Sequence, residues 1–137
     1  MVISNEIKSR TIELVKIESV KEHYPSHKIE VKLQTENLKA HFDNYIWISN
    51  KDVETFILQL DNLDKTRKGK AILTSMSPGE FELSFKAVDA LGHIAVGLFF
   101  NKQDRIKNDY SLEIKIEFQT DPAILQTVSN DIQGLIK

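Results

Sequence analysis

Apolar residues along this chain recur with a period of two, then about 3.6, then two again, and finally about 3.6. A period of two seats alternate side chains on opposite faces of a strand, and one of 3.6 draws a stripe down a helix. Residues 28–34, KIEVKLQ, set Ile29, Val31 and Leu33 against Glu30, Lys32 and Gln34. That alternation is the mark of a half-buried antiparallel strand. Upstream, residues 11–22 (TIELVKIESVKE) are β-branched and partly alternating, and HYPSH ends the run because Pro25 lacks an amide hydrogen. Residues 38–48, LKAHFDNYIWI, alternate through Leu38, Ala40 and Phe42, and the pair Asp43-Asn44 predicts a bulge or kink. Beyond it Tyr45 and Trp47 oppose Ile46 and Ile48.

The first helix is predicted over residues 51–66. Ser49 or Asn50 can accept from an early helical amide, and Asp52 suits the positive N-terminal dipole. Val53, Phe56, Ile57, Leu60 and Leu63 form its apolar stripe, and Gly69 is the expected stop. Four strands follow. Ala71–Met76 leads into the turn Ser77-Pro78-Gly79, and Phe81, Leu83, Phe85 and Ala87 then alternate with Glu82, Ser84 and Lys86. Ala90-Leu91-Gly92 turns the chain into Ile94–Phe100. After a polar loop, Asn101–Asp109, Leu112, Ile114, Ile116 and Phe118 alternate with Glu113, Lys115 and Glu117. The second helix is predicted over residues 122–136, with Asp121 as N-cap, Pro122 in the first turn, and Leu125, Val128 and Ile132 on its apolar stripe.

Two one-sided helices need a hydrophobic sheet face to cover. The expected fold class is therefore α+β: a mainly antiparallel sheet of about seven strands in the order βββ-α-ββββ-α, with both helices on one face. At 137 residues this is one ordinary domain, 1–137. The net charge of −2 leaves no basic footprint for nucleic acid and no polybasic membrane anchor. With no cysteine there is no disulfide, no thiolate nucleophile and no Cys-ligated metal. No apolar run reaches the length of a membrane span and no secretory signal is visible, so the expected location is the cytoplasm.

The chemical signals are sparse. His93 follows Gly92, a glycine suited to the positive φ of a tight turn, so the histidine begins a strand. No nucleophile elbow or glycine-rich phosphate loop stands beside it, and the expectation is a structural imidazole bonded to a backbone carbonyl or a carboxylate. His23 and His27 are four apart, but Pro25 between them argues against a helical metal pair. His41 falls on the polar side of its strand. The basic run LDKTRKGK is a helix end, whereas phosphate favours a helix beginning. No catalytic residue, cofactor or metal site is therefore expected.

Tyr45, Trp47 and Phe99 have the opposite parity from the core-facing Ile46, Ile48, Leu98 and Phe100. They are expected on the uncovered sheet face, with Glu82, Glu113 and Glu117 as acidic neighbours. Aromatic and charged groups together suit partner binding, although a curling sheet or the N-terminal segment would bury these aromatics instead.

An ordered series of residues also resembles a known family. Phe56 with Leu60 and Leu63, Gly69-Lys70-Ala71-Ile72-Leu73, Phe81-Glu82-Leu83, Gly92-His93 with Val96, and Asp121-Pro122 with Leu125 are similar to WapI-family immunity proteins over about residues 29–136. The resemblance implies a non-catalytic protein, encoded beside a polymorphic contact-dependent toxin, that neutralises it in the producing cell. It implies a cognate toxin domain as the protein partner and offers no catalytic residues to transfer. An acidic inhibitor surface would speed capture of a basic toxin site, and this chain is only mildly acidic. Two other readings stay open: a small-molecule-binding domain or minor enzyme using a sheet-face pocket, and an adaptor or homo-oligomer using a free strand edge.

Overall fold

A computed structural model describes residues 1–41, 45–103 and 111–137, with residues 40 and 41 described by their backbone alone. The elements are β1 (Val2–Ser4), β2 (Thr11–Val20), β3 (Ser26–Gln34), β4 (Lys39–His41), β5 (Ile46–Ser49), α1 (Asn50–Thr66), β6 (Lys70–Thr74), β7 (Phe81–Ala87), β8 (Ile94–Gln103), β9 (Ser111–Thr120) and α2 (Ile124–Leu135). The class is α+β and all the strand pairing is antiparallel.

The strands form two sheets rather than one. Sheet A runs β1-β2-β3, with β4 and β5 both paired to β3, and sheet B runs β6-β7-β8-β9. The described residues thus hold nine strands where about seven were expected. Two causes account for the difference. β1 has three residues, too few to display a period, and the stretch 38–48 divides into β4 and β5. The bulge expected at Asp43-Asn44 lies outside the described residues, as do residues 104–109 of the expected polar loop, while Asn101–Gln103 extend β8. A bulge does occur in β2, where the register against β3 shifts between Lys16 and Glu18. Ile17 is the extra residue, and a bulge of this kind sharpens local twist.

Alternation explains the core. Ile12 pairs with Leu33 and Leu14 with Val31, and all four are buried. In sheet B, Leu83 pairs with Leu98 and Phe85 with Val96, again buried. From α1, Val53, Phe56, Leu60 and Leu63 are sealed, and from α2 Leu125, Val128 and Ile132 join them in the same cluster. Each such side chain contributes roughly 1.5–3 kcal/mol by leaving water. α1 packs on β6 and on α2, and its Phe56 ring meets Phe85 of β7 at a centroid distance of 5.9 Å.

The helix ends follow local chemistry, with two differences from expectation. Ser49 caps α1: its Oγ accepts from the Asp52 amide at 3.1 Å and donates to Asp52 Oδ2 at 2.6 Å. The helix stops at Arg67 rather than Gly69. Arg67 takes the left-handed conformation at φ 56° and its amide returns to Leu63 O, while its guanidinium holds Asp64 at 3.2 Å. Gly69, at φ 85°, only completes the turn into β6. Asp121 accepts from the Ala123 amide at 2.8 Å, so it organises a short turn ahead of α2 instead of capping the helix itself.

Candidate functional site

Sheet B sets its apolar residues inward and a mixed polar face outward. On that outer face Phe99 of β8 stands directly between Glu82 of β7 and Lys115 of β9. One step along, Gly97 lies between Ser84 and Glu117, and in the other direction Asn101 faces Glu113. Phe99 is half-buried, whereas Glu82, Glu113 and Glu117 are exposed. Gly97 matters to this relief. A Cβ there would approach Ser84 Oγ to 2.7 Å, so glycine keeps a shallow dip beside the Phe99 ring. Strand register alone therefore gathers four of the six expected contact residues on one face.

The other two lie on sheet A. Trp47 of β5 pairs with Lys28 of β3, which in turn pairs with Glu18 of β2. Tyr45 precedes β5, and the Lys28 ammonium sits 4.7 Å from the centre of its ring. Such a cation–π contact is worth about 0.5–1 kcal/mol at an exposed site. Tyr45 is exposed and Trp47 half-buried. The Trp47 carbonyl accepts from the Met76 amide at 2.7 Å, a link between β5 and the turn after β6. The parity argument held for these residues, since Ile46, Ile48, Leu98 and Phe100 are all buried. A single uncovered face carrying all six residues is replaced by two faces, because the strands divide into two sheets around α1.

His93 occupies the β7–β8 turn. Its Nδ1 lies 2.7 Å from Asp89 Oδ2, its amide donates to Asp89 Oδ1 at 3.2 Å, and its carbonyl accepts from Val88. A carboxylate is one of the two partners the sequence predicts, and the imidazole is 43% exposed. The Asp89 hydrogen bond and charge hold the imidazole above its ordinary pKa, with Glu6 and Asp121 adding to the effect. Reciprocally, the bond from His93 holds Asp89 below the ordinary carboxylate value. The ring lines a groove of about 320 Å³ with Asn5, Glu6, Ile7, Gln119 and Thr120. None of those residues is a nucleophile oriented by the imidazole.

His27 is the buried histidine, and sequence reasoning did not single it out as structural. Ser19 Oγ meets its Nδ1 at 2.8 Å and Asn50 Oδ1 meets its Nε2. The ring thereby ties β2, β3 and the start of α1 together, which leaves neither nitrogen for a metal. His23 sits in the loop between β2 and β3 at φ 63° and is exposed. Among the described residues no cluster of three His, Asp or Glu side chains could hold a metal ion. Nor is any helix there long and apolar enough to cross a membrane. The side chain of His41 lies outside the described residues.

The fold and its outer faces define an α+β protein whose most distinctive surface is a sheet face with one aromatic ring among acidic and basic side chains. The sequence model of the immunity protein WapI-like family matches residues 6–137, and the chain belongs to that family. The match extends well ahead of Lys28 and takes in β2. No curated protein and no solved structure matches the chain.

Proposed function

We propose that this protein is a non-catalytic immunity protein that binds a cognate toxin domain in the cytoplasm of the producing cell and blocks its active site. Membership of an immunity family carries the reading. The toxin contact is assigned to the outer face of sheet B. Phe99 serves as the apolar anchor, and Glu82, Glu113 and Glu117 meet basic groups of the toxin. A half-buried aromatic is a good anchor because its ring is already held and loses little freedom on binding. The patch is extended and shallow, which suits a protein surface better than a small ligand. Lys115 and Lys86 on the same face require acidic groups opposite them, so the mixed pattern supplies specificity more than net attraction. Tyr45 and Trp47 on sheet A form a second aromatic patch outside this contact.

The test is binding between the purified protein and the toxin domain encoded beside its gene. Phe99→Ala and the double variant Glu82→Lys/Glu117→Lys should each weaken binding by ten-fold or more, on the order of 1.4 kcal/mol or above. Trp47→Ala should leave affinity unchanged. Weakening by Trp47→Ala alone would move the contact to sheet A.

A further inference from the structure

Sheet B ends in β9, and the edge of that strand away from β8 carries no partner strand among the described residues. The other edges are short or interrupted, and the edge of β2 that β1 leaves uncovered beyond Leu14 is broken by the bulge at Ile17. β1, β4 and β5 have three, three and four residues. At β6 the free amide of Ile72 donates to Gln59 Oε1 of α1 at 2.8 Å. Among the described residues β9, ten residues long, has no such cover along 111–118, and at its far end Thr120 Oγ1 donates to Ser4 O at 3.1 Å. A bare edge of eight residues, about 26 Å at roughly 3.3 Å per residue, is a template for another strand.

The core thins at the same place. Phe100 and Leu98 of β8 are sealed at 1% exposure each, but their cross-strand partners Ile114 and Ile116, and Leu112 beyond, remain half-exposed. The outward row of β9 reads Glu113, Lys115, Glu117, so its charge alternates along the edge.

We propose that two copies of this chain pair antiparallel through the free edges of β9, with Ile114 on the twofold axis, so that sheet B of one protomer continues into sheet B of its partner. In this register Glu113 meets the partner's Lys115 and Lys115 meets the partner's Glu113. On the inner face Leu112 meets the partner's Ile116, and the reverse. Every outward charge on the axis-proximal pairs is matched, and the half-exposed apolar row is covered by its own copy. Centring the pair on Lys115 would oppose lysine to lysine and Glu113 to Glu117, which is repulsive. Centring it on Ile116 would drive the partner strand into the end of β9 already beside Ser4. A shift by one residue would set charged side chains against the apolar row. The interface takes Glu113 and Lys115 from the rim of the outer face and leaves Phe99, Glu82 and Glu117 open, and the unliganded chain tests it without the toxin.

The experiment is sedimentation equilibrium on the full chain, from about 1 to 500 µM, the range in which a small interface associates. The mass should rise from 15.7 kDa toward twice that value. Lys115→Glu and Glu113→Lys should each hold the protein monomeric across the range. The exchanged double variant Glu113→Lys/Lys115→Glu should recover the dimer, because the reciprocal pairs are restored. Circular dichroism and melting confirm that each variant is folded. In the unaltered protein, amide exchange in β9 should slow as concentration rises, a reading that needs no variant. A monomer at every concentration, a dimer that survives Lys115→Glu, a double variant that stays monomeric, or concentration-dependent protection outside β9 would each overturn the proposal.

Discussion

Replacing Phe56 by alanine tests the packing of α1 on sheet B most severely. The side chain is fully buried, lies on the inner stripe of the helix, and meets Phe85 at 5.9 Å with the rings tilted by 44°. Truncation removes the ring and leaves a cavity between α1 and β7. Phe→Ala changes at such sites cost about 3–5 kcal/mol. Loss of the tilted ring pair, about 0.5–1.5 kcal/mol beyond area, puts this site toward the upper part of that range. A domain of this kind has roughly 5–15 kcal/mol in total, so the variant should remain folded but lose a large share of its stability. Leu58 supplies the comparison, on the same helix but 70% exposed. Leu58→Ala should change stability by no more than about 0.5 kcal/mol. Urea denaturation of both variants, with unchanged m values, measures the difference. A loss below about 1 kcal/mol for Phe56→Ala, or equal losses for the two variants, would refute the packing.

Two further outcomes follow from the local geometry. Ser49→Ala should cost about 1 kcal/mol by removing the acceptor for the Asp52 amide, measured by the same denaturation. His93→Ala should lower stability in a pH-dependent way. The raised pKa of His93 makes its contribution full below the ordinary histidine value and lost as pH rises through the folded value. The lowered pKa of Asp89 makes its contribution full above the ordinary aspartate value and lost as pH falls through the folded one. The gap between protein and variant should therefore be widest between about pH 4 and 6.5 and shrink on either side. A gap that grows toward pH 9 would contradict the Asp89–His93 pairing.

Much of the fold was legible because alternation reports burial directly. The run from Phe81 to Ala87 alternates without interruption, and β7 has those bounds. The helical stripe through Val53, Phe56, Leu60 and Leu63 is likewise the buried face of α1. What stayed hidden was relational. Period gives the face of a residue within its strand but not which strand lies beside it, so the division into two sheets and the pairing of both β4 and β5 to β3 had no sequence signature. The same limit separated Trp47 from Phe99, whose parities were correctly assigned but whose sheets differ. His27 was hidden because its partners, Ser19 and Asn50, stand on two other elements, and only strand register and the docking of α1 bring them to the ring. Arg67 displaced Gly69 as the helix stop because a local bond to Asp64 stabilises a left-handed residue that its own type disfavours.

The most direct test of the immunity reading is the affinity of this protein for the toxin domain encoded next to it, measured by titration calorimetry with the unaltered chain and with Phe99→Ala. The account predicts a tight complex that suppresses the toxin's activity, with affinity reduced at least ten-fold by Phe99→Ala while the melting temperature of the free protein stays close to its original value. No binding by the unaltered chain would contradict the immunity reading itself. Equal affinity for the two proteins would contradict the assignment of the contact to the outer face of sheet B.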